Sequence, residues 1–471
     1  MTRELPGFDQ PFPISPSLRA LVDTVLQAGG KPVAVGGCVR DHLLGLSPKD
    51  IDVEVYNIAL NDLEAVLTTL GDVHAVGKSF GVLKVSMTRP EIANFDVSLP
   101  RRENKEGRGH KGFFVEMNSN LSFEDASLRR DFTVNAMGID LETSTLLDPH
   151  SGVRDLRQGI LRHVSEAFDE DPLRVLRAAQ FAARFALSLD PGTIKKCQNL
   201  RSELSTLPKE RIWEEFKKLI FAARPSIGLE VLQDTGALEL FPELLALMGC
   251  QQDPTWHPEG DVWVHTLMVA DEAARIVREE QLDEDESLKV LFGALCHDLG
   301  KPPTTKFEDG RYRSKNHEAA GEEPTRSFLS RVGAPNDLID AVVPLVRDHL
   351  KPVQLYKERE KISDGAIRRL SARVPITRLC LVAKADFLGR TTEDAKAGID
   401  PSVVWLLREA SRLSVQNAAP RPILMGRHLL DAGMTPGPQV GEILAKAYEA
   451  QLDGEFSDLD NALKWVKLNS R

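Results

Sequence analysis

In the run Asp50-Ile-Asp-Val-Glu-Val, three carboxylates alternate with three aliphatic side chains. A β-strand sends successive side chains to opposite faces, so this spacing gathers the acids on one face and the aliphatics on the other, toward a core. Like charges crowded on one sheet face repel unless a cation lies among them. A pair of magnesium ions held by such carboxylates suits phosphoryl and nucleotidyl transfer, one activating a 3′-hydroxyl and the other holding the triphosphate and leaving oxygen. Asp50 and Asp52 are the candidate ligands. In Ile92-Ala-Asn-Phe-Asp-Val-Ser-Leu, Asp96 falls on the face opposite Phe95, Val97 and Leu99 and could complete the catalytic set. Glu54 competes for that third place. An isolated Asp-x-Asp is more often an ordinary solvated sheet face.

What precedes the acids changes that weighting. Val35-Gly-Gly-Cys-Val-Arg-Asp reads as a strand, a glycine turn and a helix start. Backbone amides at such a turn can cradle phosphate, with Gly37 in the cradle and Arg40 near an incoming triphosphate.

A second constellation lies downstream. His265, the His297-Asp298 doublet and Asp386 fall on three separate expected helices. Imidazoles mixed with hard carboxylates suit a divalent metal of the nickel, manganese or magnesium class. A His-Asp doublet at a helix end is unusual for a packed core, because both side chains demand partners there.

The elements that must position these groups are legible from periodicity. Lys31-Pro-Val-Ala-Val reads as a strand and Val39 to Leu44 as a short helix. Asp50 to Tyr56, Gly81 to Met87 and Ile92 to Leu99 read as three strands of one half-buried sheet. From about Asp169 the pattern turns helical, with Pro172 placed at the N1 position of a helix running through Phe185. Glu210 to Phe221, Trp263 to Val277, Leu288 to Leu295 and Ile376 to Leu388 continue it. Loop-rich stretches at 251–260 and around Asn417 mark boundaries, and no repeat occurs.

The bulk properties set limits. At 471 residues the chain should hold three or four domains. No run of about 18 uncharged apolar residues suggests a membrane span, and the start lacks the apolar core of a signal peptide. Five scattered cysteines without a Cys-x-x-Cys pair fit free thiols in a reducing cytoplasm. A net charge of −11 is unexpected for an RNA binder, so phosphate contacts would rely on local basic clusters. Arg101, Arg102, Lys105, Arg108 and Lys111, interleaved with glycines, form one; a solvated mobile loop is the plain alternative.

Gly36-Gly-Cys-Val-Arg-Asp-His-Leu-Leu-Gly followed by Lys49-Asp-Ile-Asp resembles the bacterial tRNA nucleotidyltransferases (CCA-adding enzymes) and their poly(A) polymerase relatives. The resemblance continues in order through Arg129-Arg-Asp-Phe-Thr-Val-Asn-Ala-Met, Asp148-Pro-His-Ser-Gly-Val-Arg-Asp-Leu, Glu170-Asp-Pro-Leu-Arg-Val-Leu-Arg and Leu207-Pro-Lys-Glu-Arg-Ile-Trp-Glu-Glu-Phe. It implies an α+β protein: a DNA polymerase beta-like nucleotidyltransferase head with a small mixed sheet, followed by all-α neck, HD and tail domains. The expected boundaries are 1–160 for the head, 161–245 for the helical neck, 246–395 for the HD domain and 396–471 for a helical tail that could touch tRNA.

The implied function is template-independent addition of CCA, from CTP and ATP, to the 3′ end of tRNA with Mg2+ at Asp50 and Asp52. Arg130 would contact the nucleotide. Asp171 can accept from an exocyclic amine and Arg174 can donate to ring acceptors, so the pair would imitate a base-pairing edge; Arg177 would reach phosphate. Where the family commonly has another arginine, this chain has Gln180, and no phosphate contact is carried over. The basic stretch from Arg101 to Gly112 lies where the family has a flexible loop that helps the switch from C to A addition. The His/Asp set resembles the HD phosphohydrolases, implying an accessory phosphatase or cyclic phosphodiesterase, with His317 and His349 available for a second metal. Alternatives are a poly(A) polymerase or A-only enzyme, and a metal phosphohydrolase whose head only binds RNA. A cytoplasmic enzyme with no membrane partner is expected.

Overall fold

The computed structural model describes residues 3–48, 50–76, 81–105 and 113–469. They divide between two compact units: Met1–Glu215 with Ile227–Leu240, and Phe216–Ser226 with Phe241–Arg471.

Unit 1 carries nine strands that concern the site: β1 (Lys31–Val35), β2 (Asp52–Tyr56), β3 (Asp72–Val76), β4 (Val82–Met87), β5 (Ala93–Ser98), β6 (Arg101–Lys105), β7 (Phe113–Met117), β8 (Gly138–Asp140) and β9 (Leu146–Leu147). Seven of them form one sheet in the order β3-β4-β5-β2-β1-β8-β9. All its pairings are antiparallel except β2 with β5, so the expected small mixed sheet is present. Alternation works cleanly on β5, where Phe95 and Val97 are buried while Asn94 and Asp96 are exposed. The Pro16–Gln27 helix begins with a Ser15 side-chain cap and Pro16 at its first turn, and buries Leu18, Leu21, Val22 and Val25. That spacing is one helical face.

Three details differ from the sequence expectation. β2 begins at Asp52, so Asp50 precedes the strand in a bend. β1 ends at Val35 opposite Asp52; beyond it Gly36 turns the chain away, leaving no β1 residue to pair with Asp50. Pro172 is the cap residue of the Leu173–Phe185 helix rather than its first helical residue. The basic stretch opens as strand, not loop: Arg101 pairs with Met117 and Lys105 with Phe113 across a β6–β7 hairpin. Residues 106–112, which include Arg108, Lys111 and most of the expected switching loop, lie outside the described residues.

Unit 2 is helical apart from one short hairpin. Helices Val262–Glu279, Glu284–Cys296 and Ile376–Leu388 pack on one another. Beside them Phe216, Phe241, Phe292 and Phe328 form an aromatic cluster, with centroids 5.2 to 6.1 Å apart. The C-terminal helices Gly426–Asp431, Pro438–Asp453 and Leu459–Asn469 close over a small core of Leu424, Leu429, Ala447, Ala450, Phe456, Ala462 and Val466. All five cysteines are free thiols. Among the described residues, no helix is long and apolar enough to cross a membrane.

Candidate functional sites

Parallel pairing of β2 with β5 places Asp52 directly opposite Asp96. Both side chains are exposed, as is Asp50. Asp52 keeps access to solvent yet has much protein around it. That desolvation raises its carboxyl above the ordinary range, and the charges of Asp96 and Asp50 add to it while Arg130 opposes. A carboxylate whose proton affinity is raised by two neighbouring acids marks a site a divalent cation would relieve.

Glu54, the competitor, is placed elsewhere. It is 1% exposed, accepts from Tyr56 Oη at 2.6 Å and is held by Arg129 Nη2 at 2.8 Å. The expectation that all three acids of the run share one open face therefore fails: Asp50 and Asp52 are open and Glu54 is internal.

After β1, Gly36 adopts φ +77° and leads into the Gly37–Leu43 helix. Glycine alone takes this backbone without strain, and a Cβ there would meet Arg130 Nη1 at 2.9 Å. Arg130 thus lies against the glycine turn, where its charge also acts on Asp52. Its buried Nε has no hydrogen-bond partner among the described residues, and Nη1 reaches the Asn135 carbonyl at 3.5 Å. A guanidinium so lightly engaged beside a carboxylate pair can take an anionic ligand. Arg40 is different. It is buried, bonds Asp41 at 2.9 Å through Nε, donates to Asn135 Oδ1 and lies 4.3 Å from the Phe185 ring centroid. In this arrangement it braces the turn from within.

The three groups expected to meet a base or phosphate are tied to protein partners. Arg174 donates to the carbonyls of Ala167 and Arg129, each at 2.6 Å. Asp171 takes Arg211 Nη2 at 2.8 Å and the Leu173 amide at 3.0 Å. Arg177 sits on Asp131 at 2.6 Å, with Glu215 at 3.8 Å. Gln180 is buried and accepts from Arg184 at 3.5 Å. Asp131 and Asn135 were missed by spacing, although both lie in the Arg129–Met137 motif. Asn135 Nδ2 donates to Asp131 at 3.0 Å and its Oδ1 receives Arg40, so it joins the two arginines' networks.

In unit 2 the structure brings together His265, His297, Asp298, Asp386, His317 and His349. His265 Nε2 is 3.1 Å from Asp386 Oδ1, His297 Nε2 is 3.1 Å from Asp298 Oδ2, and His317 Nε2 is 3.4 Å from Asp298 Oδ1 and 3.3 Å from His349 Nε2. The other ring nitrogens face outward. The Nδ1 atoms of His297, His317 and His349 lie 2.7, 2.8 and 2.6 Å from the carbonyls of Ala294, Ser314 and Val346. His265 Nδ1 is 2.9 Å from Glu259, off the line of a good hydrogen bond. Anchoring Nδ1 this way frees Nε2 as a ligand and fixes the ring, the usual support of a metal-binding histidine.

The electrostatics agree with a cation centre. His297 Nε2 and Asp298 Oδ2 are buried without a well-directed hydrogen bond, although Lys301 Nζ is 2.7 Å from that oxygen. Burial alone would raise the Asp298 carboxyl, but His297 and Lys301 hold it well below the usual carboxylate range. Burial, aided by the His317 and His297 charges, pushes His349 down to about 3, leaving it neutral as a ligand must be. Three groups here could each hold a metal ion: His257, Glu259 and His265; His265, His297 and Asp298; and Asp298, His317 and His349. Glu259, Lys301 and Arg390, the last holding Asp386 at 2.7 Å, were missed. The His257-x-Glu259 pair shortly before His265 was the available signal.

Gly300 is where the doublet's chain meets the His317 segment. A Cβ there would lie 1.9 Å from the His317 carbonyl oxygen and 2.5 Å from the Gly321 nitrogen. Neither backbone can yield cheaply. Gly300→Ala is expected to cost about 1–3 kcal/mol and to weaken divalent-metal binding by displacing His317. Calorimetric titration of metal-stripped protein with Ni2+ or Mn2+ checks it; unchanged affinity would refute the steric argument.

Three family models match segments of the chain. Residues 33–162 match the Poly A polymerase head domain, 186–248 the probable RNA and SrmB-binding site of polymerase A, and 262–390 the HD domain. A multifunctional CCA protein of Xanthomonas campestris pv. campestris (strain B100) is 37% identical over 423 residues, 88% of this chain and 96% of that protein. One from Stenotrophomonas maltophilia (strain K279a) is 38% identical over 423 residues, 88% and 97% of the two chains. The fold is shared with the CCA-adding enzyme of Bacillus stearothermophilus in complex with CTP, at TM-score 0.66 and 21% identity, covering 97% of this chain and 98% of that one. It is shared too with the Thermotoga maritima CCA-adding enzyme complexed with tRNA, at TM-score 0.60 and 20% identity, with both chains fully covered.

Proposed function

The chain belongs to the multifunctional CCA protein family, and from that premise we propose that it adds C, C and A to the 3′ end of tRNA, using CTP and ATP without a nucleic-acid template. It is a tRNA nucleotidyltransferase. The observation that carries the mechanism is the register of β2 on β5, which sets Asp52 opposite Asp96 beside the Gly36 turn.

Asp50, Asp52 and Asp96 would hold Mg2+, which when bound supplies Lewis-acid polarisation of the phosphate and a more acidic attacking hydroxyl. Arg130 is the chain's own phosphate-orienting cation, supported by its place against the turn and its spare donor. Gly37 offers backbone to the same phosphates, and Arg40 keeps that backbone in shape. Base choice is assigned to Asp171 and Arg174. Since Arg211 bonds Asp171 in this structure, a base reading that carboxylate must share it with Arg211 or displace it. Arg177 keeps the Asp131 network and reaches phosphate only by leaving it.

The His/Asp cluster is assigned an accessory phosphohydrolase role, with Ni2+, Mn2+ or Mg2+ as candidate ions and His317 with His349 completing a second position. Four functional segments follow: head 1–160, neck 161–245, HD 246–395 and tail 396–471, the tail meeting tRNA. Free thiols throughout support a reducing, cytoplasmic setting.

Incubating tRNA that ends before CCA with CTP alone, ATP alone and both tests the product. Two added residues with CTP and three with both are expected on electrophoresis. Unlimited A tails without C would instead make the chain a poly(A) polymerase, and cyclic-phosphate hydrolysis without extension would make it a phosphohydrolase with an RNA-binding head.

A further inference from the structure

Strand register carries the row of open side chains past the carboxylates of unit 1 to the edge of the sheet. Asp52 on β2 lies opposite Asp96 on β5, Asp96 opposite Lys84 on β4, and Lys84 opposite His74 on β3. Residues paired in this way point to the same face, so these four side chains stand in one line across four neighbouring strands. All four are exposed. Leu83, Val85, Phe95 and Val97, which alternate with them, are buried on the other face. In the adjoining row of the open face, Ser86 Oγ donates to Asn94 Oδ1 at 2.8 Å.

The two directions away from Asp52 have different uses. On one side β1 leads into the Gly36 turn, against which Arg130 lies; this side is assigned to the triphosphate. In-line displacement sets the attacking and leaving oxygens on opposite sides of the phosphorus, so the acceptor's 3′-hydroxyl arrives from the other side, over Asp96. Lys84 stands there. Its Nζ is 3.9 Å from Asp96 Oδ1, with the two side chains 56% and 47% exposed. An exposed pair at that distance holds weakly, so the ammonium is free to turn to a stronger anion. An RNA end brought to Asp50, Asp52 and Asp96, in a chain of net charge −11, is repelled as it approaches. A cation within reach of its last phosphate offsets that repulsion.

We propose that Lys84 holds the phosphate preceding the terminal nucleoside of the RNA acceptor, with the row from Asp96 to His74 as the track along which that end lies. The inference rests on the reading of Asp52 and Asp96 as the reacting site, which decides the side the acceptor takes. Lys84 thereby positions the acceptor and leaves the incoming nucleotide to the glycine turn. Lys84→Ala removes an exposed side chain between buried Leu83 and Val85, so the variant is expected to fold.

A thermodynamic cycle between protein and RNA tests it. tRNA ending before CCA is made with either a phosphate or an uncharged methylphosphonate before its last nucleoside. For each acceptor kcat/KM is measured with full-length protein at saturating CTP. Lys84→Ala and the methylphosphonate should each lower it about tenfold, and the two together no further, because both remove the same charge-assisted contact. The KM for CTP should stay within about twofold of wild type, and Lys84→Arg should keep the dependence on the phosphate charge. Losses that multiply to about a hundredfold, or a Lys84→Ala protein that uses the tRNA as well as wild type does, overturn the proposal. A raised KM for CTP would place Lys84 on the nucleotide side and also overturns it. Fluorescence anisotropy without CTP or divalent metal repeats the cycle on Kd, where the same non-additivity is expected and independent losses overturn the proposal. If the wild type adds no nucleotide to the unmodified tRNA, the reading of Asp52 and Asp96 fails, and the cycle on Kd still decides whether Lys84 meets that phosphate.

Discussion

Asp52→Ala is expected to slow nucleotide incorporation into tRNA by about a thousandfold, equivalent to about 4 kcal/mol of lost transition-state stabilisation. The protein should otherwise be intact. Asp52 is an exposed side chain at the first position of its strand, and removing it relieves repulsion from Asp96 and Asp50. Single-turnover incorporation from CTP, alongside urea unfolding, separates the two effects. A folded Asp52→Ala protein that extends tRNA within about tenfold of the wild-type rate would remove Asp52 from the metal set. Asp96→Ala should fall in the same class, because the parallel register gives both carboxylates one neighbourhood.

Glu54→Ala should do the opposite, damaging the fold before the chemistry. The carboxylate is buried between Arg129 and Tyr56. Its removal takes the acceptor from a buried phenol and one counter-charge from a mostly buried guanidinium, a change that costs about 3–5 kcal/mol. Burial alone would raise the Glu54 carboxyl, yet Arg130 and Arg129, together with the Tyr56 hydroxyl, hold it below its ordinary value. The folded state therefore binds this proton less readily than the unfolded chain. The resulting stability is present above the ordinary glutamate range and is lost as pH falls through the lowered folded value. Hydrogen exchange on β1 and β2 should show global loosening in Glu54→Ala at neutral pH. A variant as stable as wild type but inactive would return Glu54 to the list of metal ligands.

These two acids stand two residues apart in one alternating run, and sequence alone placed them on one face, Asp52 as a ligand and Glu54 as a competitor for the third place. Period-two alternation correctly located the sheet and the Asp96 face, because it depends only on local backbone geometry. It could not tell an open polar face from a filled one. What fills it is Arg129, 75 positions away along the chain, and no local pattern announces that pairing. Asp50 was assigned to the strand for the same reason: its residue type fits, but a strand lasts only as long as its partner, and β1 ends at Val35. The family resemblance gives Arg174 and Arg177 ligand roles, whereas the structure engages them with Ala167, Arg129 and Asp131. The His/Asp cluster was more legible, since histidine and aspartate so close to helix ends have few structural uses. Its outer supports, Glu259 and Lys301, come from a loop and a short helix whose approach depends on packing.

The division of the chain has a consequence for how the protein can be taken apart. The polypeptide leaves unit 1 after Glu215, returns at Ile227 and leaves again after Leu240. Phe216, from the first excursion, stacks 6.1 Å from Phe292 and meets Phe328 edge-on at 5.6 Å. A single cut anywhere in the chain thus leaves one piece short of residues its own core uses. The two units are stitched rather than strung together, and separating them as independent modules takes three cuts and two new junctions instead of a single cut.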